Sequence, residues 1–117
     1  LPGLALAAKI QKKAASAGFD WDGGVEVAYA DVEAELAEVR EDPSEHEVGD
    51  LLFAGVQVAR RLDIDPEAAL RSAAQRFVSR FRRVEVLAGS PEALAAADES
   101  QLTAWWAVAK SAESLAD

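Results

Sequence analysis

The prolines and most of the glycines of this chain fall between its apolar periodic segments rather than inside them, and that placement constrains the fold more than any other feature. Gly18, Asp42-Pro43-Ser44, Asp65-Pro66 and Gly89-Ser90-Pro91 cut the 117 residues into stretches. Within each stretch apolar residues recur at three and four, the spacing that puts them on one face of an α-helix. Alanine, which costs a helix least, is abundant throughout. The expectation is one all-α domain over residues 1–117, a bundle of four to five helices with short connections. So short a chain builds only a modest core, and its leftover apolar helix faces predict at least a dimer.

Residues 1–17 carry Leu4, Ile10 and several alanines, with Lys9, Lys12 and Lys13 on a polar side, and Gly18 ends this first helix. The connector Gly18-Phe19-Asp20-Trp21-Asp22-Gly23-Gly24 is rich in turn formers yet holds two large aromatics. Such rings commonly plug a core; the sharper reading is that Trp21 borders a flat ligand. A second helix follows from Val25 to about Asp42, with Val25, Ala28, Val32, Leu36 and Val39 as its buried stripe, Glu35 beside it, and Asp31, Glu38 and Asp42 further round. Asp42-Pro43-Ser44-Glu45 reads as a restart, with Asp42 as N-cap and Glu45 closing a capping-box-like pair.

The third helix is polar only at Asp50 and Gln57 between Val48 and Ala59, which predicts burial on more than one side. Glu47 and Asp50 stand on its entry turns. Asp65-Pro66-Glu67 opens a fourth helix that runs to about Ala88 and carries Arg76, Arg80 and Arg83 along one side. A short turn at Pro91-Glu92-Ala93-Leu94 and a last helix, capped at Asp98-Glu99-Ser100-Gln101 and holding Trp105 and Trp106, complete the chain.

Asp31, Glu35, Glu38 and Asp42 form an acidic row with no basic partner in register, which destabilises a helix by a few tenths of a kcal/mol per pair. A solvated face accounts for Asp31, and helix-dipole complementarity for Glu45 and part of Glu47. Neither accounts for Asp50, a carboxylate against an apolar helix wall that needs a partner, a proton or a metal. Two helices offering two acids each suit a hard divalent cation, because Mg²⁺ takes carboxylate oxygens, keeps waters and is completed by substrate phosphates. Arg76 and Arg80 would supply planar donors to phosphate oxygens, or else form surface ion pairs with the many acids.

The formal net charge of −9 argues against a nucleic-acid backbone as partner, since that binding is driven by Lys and Arg. With no Cys and a single His, His46, thiolate zinc sites and Cys nucleophiles are excluded. His46 sits at a helix start among acids, and an exposed helix end suits it better than a general base. No segment approaches the roughly 20 apolar residues of a membrane span, and the amino terminus has no signal-peptide profile, so the expected address is the cytoplasm.

Taken in order, Lys9-Ile10-Gln11-Lys12, Gly18-Phe19-Asp20-Trp21, Glu35-x-x-Glu38, Glu47-Val48-Gly49-Asp50-Leu51-Leu52-Phe53 and Arg76-Phe77-x-x-Arg80-Phe81-Arg82 resemble the MazG nucleoside triphosphate pyrophosphohydrolases, specifically the carboxy-terminal catalytic domain of the longer members. The likeness runs nearly end to end and includes Trp106 and Lys110. It implies a Mg²⁺-dependent enzyme, with Mn²⁺ as a substitute, that splits nucleoside triphosphates between the α and β phosphates. It also implies an α-helical homodimer that clears aberrant or excess nucleotides. By position, Glu35, Glu38, Glu47 and Asp50 would hold the metal, with one of the first pair activating the attacking water. Arg76 and Arg80 would meet phosphates, Lys12 or Lys13 would add to them, and Trp21 and Trp106 would line the base. Ala34 stands where the family often has a further Glu, Ala74 where it often has Asn, and the connector between the acidic helices is short. The rival expectation is a non-catalytic helical module whose acidic site has decayed with Ala34; an acidic cation buffer is a third.

Overall fold

A computed structural model describes residues 1–116, with side chains described as far as Glu113. Six α-helices are found among them: α1 Gly3–Ser16, α2 Val25–Glu41, α3 Glu45–Arg61, α4 Pro66–Ala88, α5 Pro91–Ala96 and α6 Glu99–Ala116. The all-α expectation holds; the helix beyond the expected four to five is α5, where only a short turn was foreseen. Its Ser90 hydroxyl accepts the Ala93 N–H at 3.1 Å and Pro91 sits at the first position, so cap and proline together suffice to start a helix. The described residues contain no helix long and apolar enough to cross a membrane.

Chain contacts divide the protein into two compact units, Leu1–Leu70 and Arg71–Asp117. In the first, α3 packs against both α1 and α2. Ala28 of α2 with Ala54 and Val56 of α3 form the buried apolar centre. Gln11 is buried on α1, and its Nε2 donates to the Phe53 carbonyl at 2.9 Å, stitching α1 to α3. Gly18 ends the first helical pattern in the left-handed region, at φ +96°, a conformation that a Cβ makes costly. Gly23 is also left-handed, and a Cβ there would lie 2.5 Å from Val27 Cγ2, so the entry to α2 requires glycine.

One local reading is corrected. The start of α3 shifts by two residues: Asp42 is the C-cap of α2, its N–H bonding the Glu38 carbonyl, and Ser44 is the N-cap of α3, accepting the Glu47 N–H at 3.3 Å. Extended backbone at Ser44, φ −117° and ψ 162°, is what an N-cap needs. As expected, α3 is buried on more than one side, against α1 and α2, yet Val48, Leu52 and Phe53 are 43%, 67% and 42% exposed. With α1 and α2 as its packing partners in this unit, one apolar stretch of α3 stays in water within a single copy.

In the second unit side chains of α4 and α6 meet. Val84 and Ala109 are buried, Phe77 lies 5.5 Å from the Trp106 ring, and Arg83 Nη1 donates to the Ala109 carbonyl at 3.1 Å. Asp65 and Asp98 cap as the sequence predicts, accepting the N–H groups of Glu67 at 3.0 Å and Gln101 at 2.8 Å.

Candidate functional site

The first two turns of α3 present Glu47 and Asp50, and the cap determines how. Ser44 accepts from Glu47 N, but its own N–H donates to the Asp42 carbonyl at 2.8 Å. Glu47, three residues past the cap, is therefore not spent on the reciprocal half of a capping box and its carboxylate is left for other use. The positive end of the α3 dipole favours anions here. His46 joins the pair: its Nε2 lies 3.3 Å from Asp50 Oδ2. One donor atom from each of His46, Glu47 and Asp50 falls within 4.8 Å of the other two.

Glu35, half-buried, and Glu38, exposed, project from α2, the helix packed on α3. Their effect is read at Glu47, whose carboxyl is raised above its ordinary value. Desolvation is the first cause; Asp50, Glu38 and Glu35 then add negative charge around it, while His46 pulls the other way. Three of the predicted acids thus add charge at the fourth within the first unit, and the donor set is oxygen-dominated, as a hard divalent ion requires. Their role as ligands is taken up below.

The other end of α3 holds an ion cluster with no local sequence pattern. Asp20 accepts from Arg60 Nη1 at 3.1 Å and Nη2 at 3.0 Å, and pairs with Arg61 Nη2 at 2.8 Å. The hydrogen bonds from Arg60 are the main reason its carboxyl lies below the ordinary range; burial opposes, and the Arg60 and Arg61 charges and the Trp21 N–H assist. Trp21, flanking this cluster, is 59% exposed and meets Phe19, 67% exposed, edge to face at 4.8 Å. Within this unit these rings do not plug the core. Lys12 and Arg60 line a cavity of about 840 Å³ together with Lys9, Val56 and Ile64; Lys13 is exposed and is not part of its lining.

In the second unit Arg80 and Trp106 are brought together. The Arg80 guanidinium lies 5.8 Å from the Trp106 ring centroid and its Nε donates to Glu113 Oε2 at 2.9 Å. Arg83 approaches the other Glu113 oxygen at 3.7 Å. The ion-pair alternative therefore describes Arg80. Arg76 is exposed and bonds the Ser72 hydroxyl at 2.8 Å.

His46 is an exposed helix end, as its position predicts, with Asp50 one turn further on. The Asp20 cluster joins residues forty apart and leaves no local pattern.

No family model matches the chain. Over 91 residues, 74% of its length, it is 46% identical to the nucleoside triphosphate pyrophosphohydrolase/pyrophosphatase MazG of Thermotoga maritima. Over 93 residues, 73% of its length, it is 44% identical to the nucleoside triphosphate pyrophosphohydrolase of Escherichia coli K12. The chain belongs to the MazG family. It spans about a third of the length of these curated relatives, 35% in each case.

Proposed function

We propose that this MazG-family chain hydrolyses nucleoside triphosphates to a nucleoside monophosphate and pyrophosphate with the help of a divalent cation. The observation that carries the reading is geometric: Glu47 and Asp50, with His46, bring donor atoms within 4.8 Å of one another on α3, and α2, which carries Glu35 and Glu38, packs against that helix. It is supported by the printed activity of relatives 44–46% identical to the chain. Glu35, Glu38, Glu47 and Asp50 are the proposed ligands. Mg²⁺ is the best match to four carboxylates, and Mn²⁺, which tolerates an imidazole neighbour such as His46, is the natural substitute. The ion, when bound, polarises phosphoryl oxygens and lowers the pKa of water.

The remaining steps belong to the chain's own residues. Glu35 or Glu38 accepts the proton of the attacking water as its oxygen bonds to phosphorus. The P–O bond bridging the α and β phosphates breaks, and monophosphate and pyrophosphate separate. Lys12, with Lys13 as the adjacent candidate, and Trp21 are the first unit's proposed contacts to phosphate and base. Arg76, Arg80 and Trp106 are the second unit's. Arg80 engages phosphate by exchanging Glu113 for it. The exposed Val48, Leu52 and Phe53 support a homodimer. The proposed role is clearance of aberrant or excess nucleotides in the cytoplasm.

The test is pyrophosphate release from a panel of ribo- and deoxyribonucleoside triphosphates, with Mg²⁺ and after chelation. Metal-dependent release from at least one is expected. A folded sample that releases none from any of them sinks the hydrolase and favours the non-catalytic module, with Ala34 marking the decayed position.

A further inference from the structure

The connector between α1 and α2 holds two large aromatic rings in water, Phe19 at 67% and Trp21 at 59% exposure. Apolar surface of that size is unfavourable in water, and a free loop would fold it inward. This loop is not free. Asp20, between the two rings, is gripped by both guanidinium nitrogens of Arg60 and by Arg61. Arg60 is itself fixed by Gln57 Oε1 at 2.9 Å. Arg61 donates to the Trp21 carbonyl, and the Trp21 N–H donates to Asp20 Oδ1 at 3.2 Å. Paired, forked donors fix orientation as well as distance, so the last turn of α3 holds the aromatic pair outward.

Arg60 lies ten residues beyond Asp50 on α3, about 15 Å of helix. An extended nucleoside triphosphate spans such a length, with its phosphates at the acidic end and its base at the other. We propose that Asp20 is a positioning residue that, through Arg60 and Arg61, holds Trp21 as a stacking platform for the nucleobase. The proposal rests on the pyrophosphohydrolase reading and adds a specificity consequence to it. Every base has a π-face, so this platform accepts nucleotides without choosing among bases.

The test compares Asp20→Asn, Arg61→Gln and Trp21→Ala in the full chain, each checked for fold by circular dichroism. Each is expected to raise KM for ATP about tenfold, the low end of a base–aromatic stack, with kcat within about twofold of wild type. Competitive inhibition by inorganic tripolyphosphate, which has no base, stays unchanged. Because Asp20 acts through Trp21, Asp20→Asn adds no further KM increase in the Trp21→Ala background. An unchanged KM in folded Asp20→Asn and Arg61→Gln overturns the proposal. So does an equal rise in the Trp21→Ala background, or a matching loss of tripolyphosphate affinity; either is what a merely structural staple would give. If the wild type releases no pyrophosphate, the hydrolase reading fails separately, and calorimetric affinity for ATP carries the same comparison with the same outcomes.

Discussion

Ser44→Ala is the substitution that most directly links the fold to the acidic cluster. Ser44 caps the helix whose next two turns carry Glu47 and Asp50, accepting the Glu47 N–H at 3.3 Å and donating to Asp42 Oδ2 at 3.2 Å. Replacing an N-cap Ser by Ala typically costs about 0.5–2 kcal/mol. The bond here is longer than the usual 2.7–3.2 Å range, so the lower part, about 0.5–1 kcal/mol, is expected. If that loss is expressed as fraying of the first turn, the turn must re-form before its acids close on an ion. Divalent affinity then falls by up to about two- to fivefold. Urea unfolding followed by circular dichroism gives the first number, and Mn²⁺ titration followed by electron paramagnetic resonance gives the second. Ser44→Thr, which keeps the acceptor, should recover most of both. A variant with unchanged stability and unchanged Mn²⁺ affinity would refute the argument, and would return the capping role to Asp42.

Three further outcomes are expected. The raised Glu47 carboxyl means that the folded protein holds this proton more tightly than the unfolded chain does. Its contribution to stability is therefore present below the ordinary carboxyl value and is lost as pH rises through the raised one. Glu38→Gln removes one of the causes, so stability measured by urea unfolding across the acidic range should fall less steeply with pH in the variant; a steeper fall contradicts the charge argument. Asp63 adopts φ +56° just past the end of α3, and Asp63→Gly should stabilise the protein by about 0.5–1 kcal/mol by removing the cost of a left-handed non-glycine residue; thermal unfolding decides. Leu52→Glu places a charge on the exposed apolar stretch of α3, and sedimentation analysis should find a wild-type dimer and a monomeric variant; a monomeric wild type removes the dimer.

What the sequence made legible was local. Asp65 and Asp98 are legible as caps because each precedes an unambiguous helix start, whereas Asp42 and Ser44 flank Pro43 and both can cap. The choice fell to Ser44 because α2 runs on to Glu41 and Asp42 donates back to it. The stripe of α2 places Glu35 beside the core and Glu38 further out, as found, but its Leu36 is 38% exposed where burial is expected, since helical period sets a residue's angle and not what covers it. Periodicity was a poorer guide for α3, because an apolar surface can await another copy as readily as a neighbouring helix. The Asp20 cluster was invisible for a different reason: Arg60 and Arg61 read as an ordinary basic helix end, and only the return of the chain brings Asp20 to them.

On the proposed function, the acids on α2 and α3 serve triphosphate cleavage rather than the fold. ³¹P NMR of ATP incubated with the wild-type chain and with Asp50→Asn, each with Mg²⁺ and each confirmed as folded, tests it most directly. The wild type should yield AMP and pyrophosphate in equal amounts, and the variant should leave ATP unreacted. Cleavage by Asp50→Asn at the wild-type rate, or ADP and orthophosphate as the wild-type products, would contradict it.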